Sequence, residues 1–311
     1  MPSPRVKLPK SKLAIALLIM AALWGIYVWL GLSLPDRPAT NVYHLDTTSK
    51  FLISMSVYIP VLVVWLVAIT AWARFDRYAV YVADSSEGPA FRKIAAGLLL
   101  ANVYLISTAL PAAIASHLVD SHFLLLAVAA KNHLPALFSL ASFAFIYLGS
   151  LDLQRISKTV GWTRATSLLV TIFVIFAAAF ALVFVLAPPP PPTGGVPPYA
   201  LSRTFLPFTL ALPYLIAWYF ALLASINVAR YARYVNGKIY RRALSDLARG
   251  LVSIAVLGVV LQGFVILGAR LARLGLSQIL LAVYALLVLY GVGYIFVYRG
   301  AQKLLRLETA E

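Results

Sequence analysis

Polarity divides the chain into long apolar runs separated by short polar ones. Eight runs, at 13–34, 52–73, 94–116, 134–151, 165–186, 204–228, 250–269 and 277–298, contain no Asp, Glu, Lys or Arg. A helix needs about 20 apolar residues to cross the hydrocarbon core of a bilayer. Backbone groups in lipid have no water to bond, so each run is expected to pair them internally as a helix. The pattern predicts an all-α integral membrane protein with eight transmembrane helices. The first run follows Arg5, Lys7, Lys10 and Lys12 as a signal peptide would. It exceeds the usual signal core of about 7–15 residues, however, and is read as a span.

Composition fits that reading: 62% of the 311 residues are hydrophobic and 12% charged, against about 45–50% and 25% in soluble domains. The charge adds orientation. There are 26 Lys and Arg against 10 Asp and Glu, a formal net charge of +16, which in a soluble chain would point to nucleic acid. Here the cations are sorted by side. With the N-terminus inside, 20 of the 26 fall in the inner segments 1–12, 74–93, 152–164, 229–249 and 299–311. Lys and Arg accumulate on cytoplasmic loops, so both termini are expected in the cytoplasm and no nucleic-acid partner is implied. The absence of cysteine excludes disulfides, thiolate metal sites and cysteine nucleophiles.

The chain also resembles itself. At an offset of 153 residues, Pro60, Trp65, Ala68 and Ala71 meet Pro213, Trp218, Ala221 and Ala224. Arg77, Tyr78, Ala79, Tyr81 and Val82 meet Arg230, Tyr231, Ala232, Tyr234 and Val235. From position 60 to 98 the match needs no gap and gives 14 identities in 39 positions. An internal duplication of four helices plus four is expected, with a first repeat at 13–158 and a second at 159–304. A basic segment 1–12 precedes them and a tail 305–311 follows. Four spans is an even number, so the repeats should be parallel and related by a pseudo-twofold axis along the membrane normal.

The duplicated Arg-Tyr-Ala-x-Tyr-Val suits the headgroup level, where Tyr anchors and Arg snorkels. Tyr78 and Tyr81 are three apart and should share a helix face, as should Tyr231 and Tyr234. With Arg77, Arg230, Lys238, Arg241 and Arg242 they form two basic cytoplasmic hairpins, a candidate site for anionic lipid or a protein partner. Pro60 and Pro213 each free a backbone carbonyl within a span and are candidate hinge or cavity-lining positions, together with Asn102 and Gln262. His117, Asp120 and His122, in the stretch HLVDSH, have metal-ligand chemistry. The second repeat lacks an equivalent, and solvated loop residues explain them as well.

The eight runs hold no ionisable relay residue of the kind that marks pumps and ion-coupled transporters. Phosphate-binding glycine loops, nucleophile elbows, zincin motifs and adjacent catalytic carboxylates are absent from the sequence, so neither an enzyme nor a cofactor is expected. Two functions compete. One is passage of a small solute or lipid between the repeats, as in a channel, uniporter or lipid-translocating protein. The other is a receptor or scaffold that holds partners or anionic lipid through the basic hairpins. A dry seam between the repeats would favour the second.

The topology is directly testable. Single cysteines at Gly194 and Asn236 should react with an impermeant maleimide from opposite faces of the membrane, Asn236→Cys from the cytoplasmic side. Labelling of both from one side would break the topology and the parallel arrangement together.

Overall fold

The computed structural model describes residues 47–107, 121–157, 200–271 and 276–308, with scattered helical positions within 14–22 and 167–178. Among the described residues all elements are helices: α1 (Thr47–Tyr81), α2 (Gly88–Ser107), α3 (Ser121–Ile156), α4 (Ala200–Tyr234), α5 (Lys238–Leu271) and α6 (Leu276–Glu308). Among the described residues three stretches, Ile59–Tyr81, Ala136–Ile156 and Leu212–Tyr234, are long and apolar enough to cross a membrane. Large apolar side chains such as Val63, Leu137, Leu148 and Ile216 are exposed along them. Water would penalise such a surface; lipid does not.

Contact runs around the six helices in sequence, each packing on the next, and α6 closes on α1. The turns at 82–87 and 235–237 lie at one end, where α1, α3, α4 and α6 finish and α2 and α5 begin. Gly237 sits at φ +108°, a left-handed conformation that a Cβ would strain, and it lets α5 start at Lys238 immediately after α4.

The helices overrun the apolar runs that predict them. α1 begins at Thr47 and α4 at Ala200, ahead of the runs at 52 and 204, and both continue to the second tyrosine of the repeated motif. α3 begins at Ser121, so His122, Lys131 and His133, expected in a loop, are helical in backbone. The sequence from Phe123 to Ala130 is rich in Leu and Ala, strong helix formers, and a few polar side chains do not end such a run. Helix also runs unbroken through Pro60 and Pro213.

Glycine brings the helices close. A Cβ on Gly97 (α2) would lie 2.6 Å from the Ser142 carbonyl oxygen of α3, and one on Gly149 (α3) would lie 2.6 Å from the Ala90 oxygen of α2. The α5–α6 pair repeats the arrangement, with Gly250 against the Gly293 oxygen at 2.7 Å and Gly300 against the Ala243 oxygen at 2.8 Å. Buried hydroxyls add bonds between helices: Ser142 Oγ donates to the Gly97 carbonyl at 2.8 Å and Ser225 Oγ to the Ala248 carbonyl at 2.9 Å.

These contacts set an expectation for stability. Gly250→Ala should push α5 from α6 and cost about 1–3 kcal/mol, as overpacking does. Gly291→Ala, whose methyl would meet only the Val64 Cγ2 tip at 3.3 Å, should be tolerated. Melting temperatures of the two variants in neutral detergent compare the cases.

Candidate functional site

The turn end gathers the described charged side chains. The repeated motif supplies its centre. In each copy the two tyrosine rings face one another, with centroids 6.3 Å apart for Tyr78–Tyr81 and 6.2 Å for Tyr231–Tyr234. That is the shared helix face the spacing predicts. The two tyrosines have different surroundings, however. Tyr78 and Tyr231 are 4% and 1% exposed, whereas Tyr81 and Tyr234 are 39% and 54% exposed. The first of each pair is therefore a core residue, with Tyr78 packed edge-on against Phe91 at 5.2 Å. Only the second of each pair reaches the surface. Arg77 and Arg230 are half-buried, and Lys238, Arg241 and Arg242 are exposed.

The buried tyrosines converge on one carboxylate. Glu87, in the turn after α1, accepts hydrogen bonds from the hydroxyls of Tyr231 at the end of α4 and Tyr240 at the start of α5. Tyr240 is also hydrogen-bonded to Tyr78. Burial, followed by the neighbouring Tyr78 and Glu87, pushes the Tyr240 phenol above its ordinary ionisation range. It stays protonated and remains a donor to Glu87 in any physiological solution. The quartet joins α1–α3 to α4–α6.

Two ion pairs flank it. Asp152 on α3 accepts from Lys93 on α2 at 2.6 Å, with Arg155 at 3.5 Å. Asp246 on α5 accepts from Lys303 on α6, with Arg249 at 3.7 Å. Asp152 thus does more than make the local pair with Arg155 that sequence spacing suggests; it ties two helices together. Between the groups of three, Arg74 on α1 lies 4.3 Å over the Tyr298 ring of α6, and Tyr147 on α3 stacks at 5.2 Å on Phe220 of α4. Asn227 Nδ2 on α4 donates to Ser150 Oγ on α3 at 3.1 Å.

These bonds use the acids inside the protein. Among residues with described side chains, nine Lys and Arg are exposed against one carboxylate, Asp84. The turn end therefore presents a cationic rim over a closed, bonded interior.

Deeper in the bundle, the core is Trp65, Ala68, Ala71, Trp72 and Phe75 on α1, with Ala217, Trp218, Ala221, Leu222 and Ala224 on α4. Asn102 is buried and donates to the Leu98 carbonyl at 2.7 Å and the Ala68 carbonyl at 3.5 Å, so it fastens α2 to α1. Pro60 and Pro213 are half-buried. His117 and Asp120 lie outside the described residues, as do the side chains of His122 and Gln262. No group of three metal-ligating side chains occurs among the described residues.

Sequence reasoning passed over Glu87, Tyr240, Lys93, Asp246 and Lys303. A clue to the first two was available, because the 153-residue offset that pairs Tyr78 with Tyr231 also pairs Glu87 with Tyr240. They differ, and a search for identities does not register them. Comparison with known protein families, characterised proteins and solved structures gives no match for this chain. Fold and site place it in a broad class, helical proteins with apolar stretches able to cross a membrane.

The ion pairs differ in burial, which orders their expected effects. Lys303→Met would leave Asp246, with a side chain 10% exposed, short of its main partner, and should cost about 3 kcal/mol. Arg155→Ala, at an 80% exposed side chain, should cost less than about 1 kcal/mol. Chemical denaturation in detergent measures both.

Proposed function

We propose that the chain is an eight-span membrane protein of two parallel four-helix repeats, with a pseudo-twofold axis along the membrane normal and both termini cytoplasmic. In this reading it works by holding partners, as a scaffold or receptor that engages the anionic inner leaflet through two basic hairpins. Several correspondences support the repeat. α1 and α4 are both 35 residues long and start 153 residues apart. The glycine contacts of α2–α3 recur in α5–α6, with Gly97 and Ala90 matching Gly250 and Ala243 at that same offset. Lys93–Asp152 corresponds to Asp246–Lys303 with its polarity reversed.

The observation that carries the holding reading is the seam itself. Its described part is packed with Trp, Ala, Leu and Phe and cross-bonded at the turn end. A passage needs a polar or hydrated lining. A platform needs a rigid body and an accessible surface, and the exposed Lys238, Arg241 and Arg242 provide one of the right charge for lipid phosphate.

Movement of a small solute or lipid along the seam is the second reading. It draws on the parallel repeats and on the indole N–H groups of Trp65 and Trp218, which occupy equivalent positions, are buried and have no hydrogen-bond partner. Such donors would suit a polar visitor.

Nanodisc binding tests the first reading. Each cation near an anionic leaflet is worth about 1 kcal/mol. Changing Lys238, Arg241 and Arg242 together to Gln should therefore weaken binding of anionic-lipid nanodiscs to the detergent-purified protein by roughly 100-fold. Neutral nanodiscs and the melting temperature in neutral detergent should be unaffected. Equal binding of anionic nanodiscs by both proteins would refute the lipid role and leave a protein partner for the rim. Flux of a small tracer through reconstituted protein would favour the passage.

A further inference from the structure

We infer that Glu87 is a latch that holds the two repeats together at the turn end and sets the spacing of the two basic hairpins. The hydrogen bonds stand by themselves; the repeat relation, which rests on the reading above, explains their form. Tyr78 and Tyr231 occupy one repeat position, and Glu87 and Tyr240 occupy another. The bond from Tyr231 to Glu87 and the bond between Tyr78 and Tyr240 are then the same contact in its two copies. The bond from Tyr240 to Glu87 joins two equivalent positions and crosses the axis.

That crossing explains why the two copies differ. Glutamate at both positions would put two carboxylates face to face in a half-buried place, where like charges repel strongly. Tyrosine at both would leave only neutral hydrogen bonds. One of each gives charge-assisted bonds, about twice as strong as neutral ones, without repulsion. Both carboxylate oxygens are used, each by a phenol from the other repeat, one before the 235–237 turn and one after it. The carboxylate therefore grips the second hairpin on both its arms while belonging to the first. Release of Glu87 would free the hairpins to separate, while the glycine-packed pairs α2–α3 and α5–α6 stay intact.

The cysteine-free sequence makes the test clean. Spin labels at Ser86→Cys and Asn236→Cys, both exposed turn positions, report the hairpin spacing by pulsed dipolar spectroscopy in neutral detergent, without any lipid partner. The parent pair should give one narrow distance distribution. Glu87→Ala should broaden it and shift it to longer distance, and Glu87→Gln, which keeps one acceptor, should restore part of the narrow component. Tyr231→Phe with Tyr240→Phe removes both Glu87 bonds, together with that of Tyr240 to Tyr78, at nearly constant volume and should reproduce Glu87→Ala. This double variant decides the matter if Glu87→Ala does not fold. A narrow, unshifted distribution in the double variant would overturn the latch, whatever the outcome of the lipid-binding test.

Discussion

Helices in lipid gain little from simply hiding apolar side chains, because the solvent is as apolar as they are. Their association depends on close backbone approach and on the hydrogen bonds it permits. In this protein that constraint is met at Gly97, Gly149, Gly250 and Gly300, where added side chains would collide with carbonyl oxygens of the facing helix. The α2–α3 and α5–α6 pairs are built on these contacts. α1 and α4 are then added against them through Ala68, Ala71, Ala221 and Ala224, all buried, and the larger Trp65 and Trp218 fill the remaining space.

Electrostatics follow from the same packing. Closely approached helix ends bring Lys93 to Asp152 and Lys303 to Asp246, and the turn delivers Glu87 to two phenols. A chain with only ten acidic residues thereby commits three of them to internal bonds. The cationic surface is as much a result of where the acids are spent as of how many Lys and Arg there are.

The six described helices were legible from their apolar runs, though their ends were not; the runs at 13–34 and 165–186 lie mostly outside the described residues. Hydropathy marks where lipid stops, and helix propensity decides where the helix stops, so Thr47, Ser121 and Ala200 begin helices outside the runs. The shared faces of the tyrosine pairs could be read from a spacing of three. The burial of Tyr78 and Tyr231 could not, because an amphipathic ring suits a headgroup layer and a packed turn equally well. The pair of Arg155 with Asp152 is local, three residues apart on one helix. The pair of Lys93 with Asp152, 59 residues apart in sequence, could not be read from spacing, because only the packing of α2 on α3 defines that contact. Glu87 was hidden in another way: its partner at the equivalent position is a different residue type.

The reversed polarity of the two ion pairs matters for assembly. Helices α5 and α6 pack glycine against carbonyl as α2 and α3 do, so α2 could in principle dock on α6, and α5 on α3. The first error would set Lys93 beside Lys303; the second would set Asp152 beside Asp246. Each leaves two like charges together in a partly buried place, whereas the native pairing neutralises both. A chain that makes similar helix pairs twice thus carries, in four side chains, the means to tell one pair from the other as it folds.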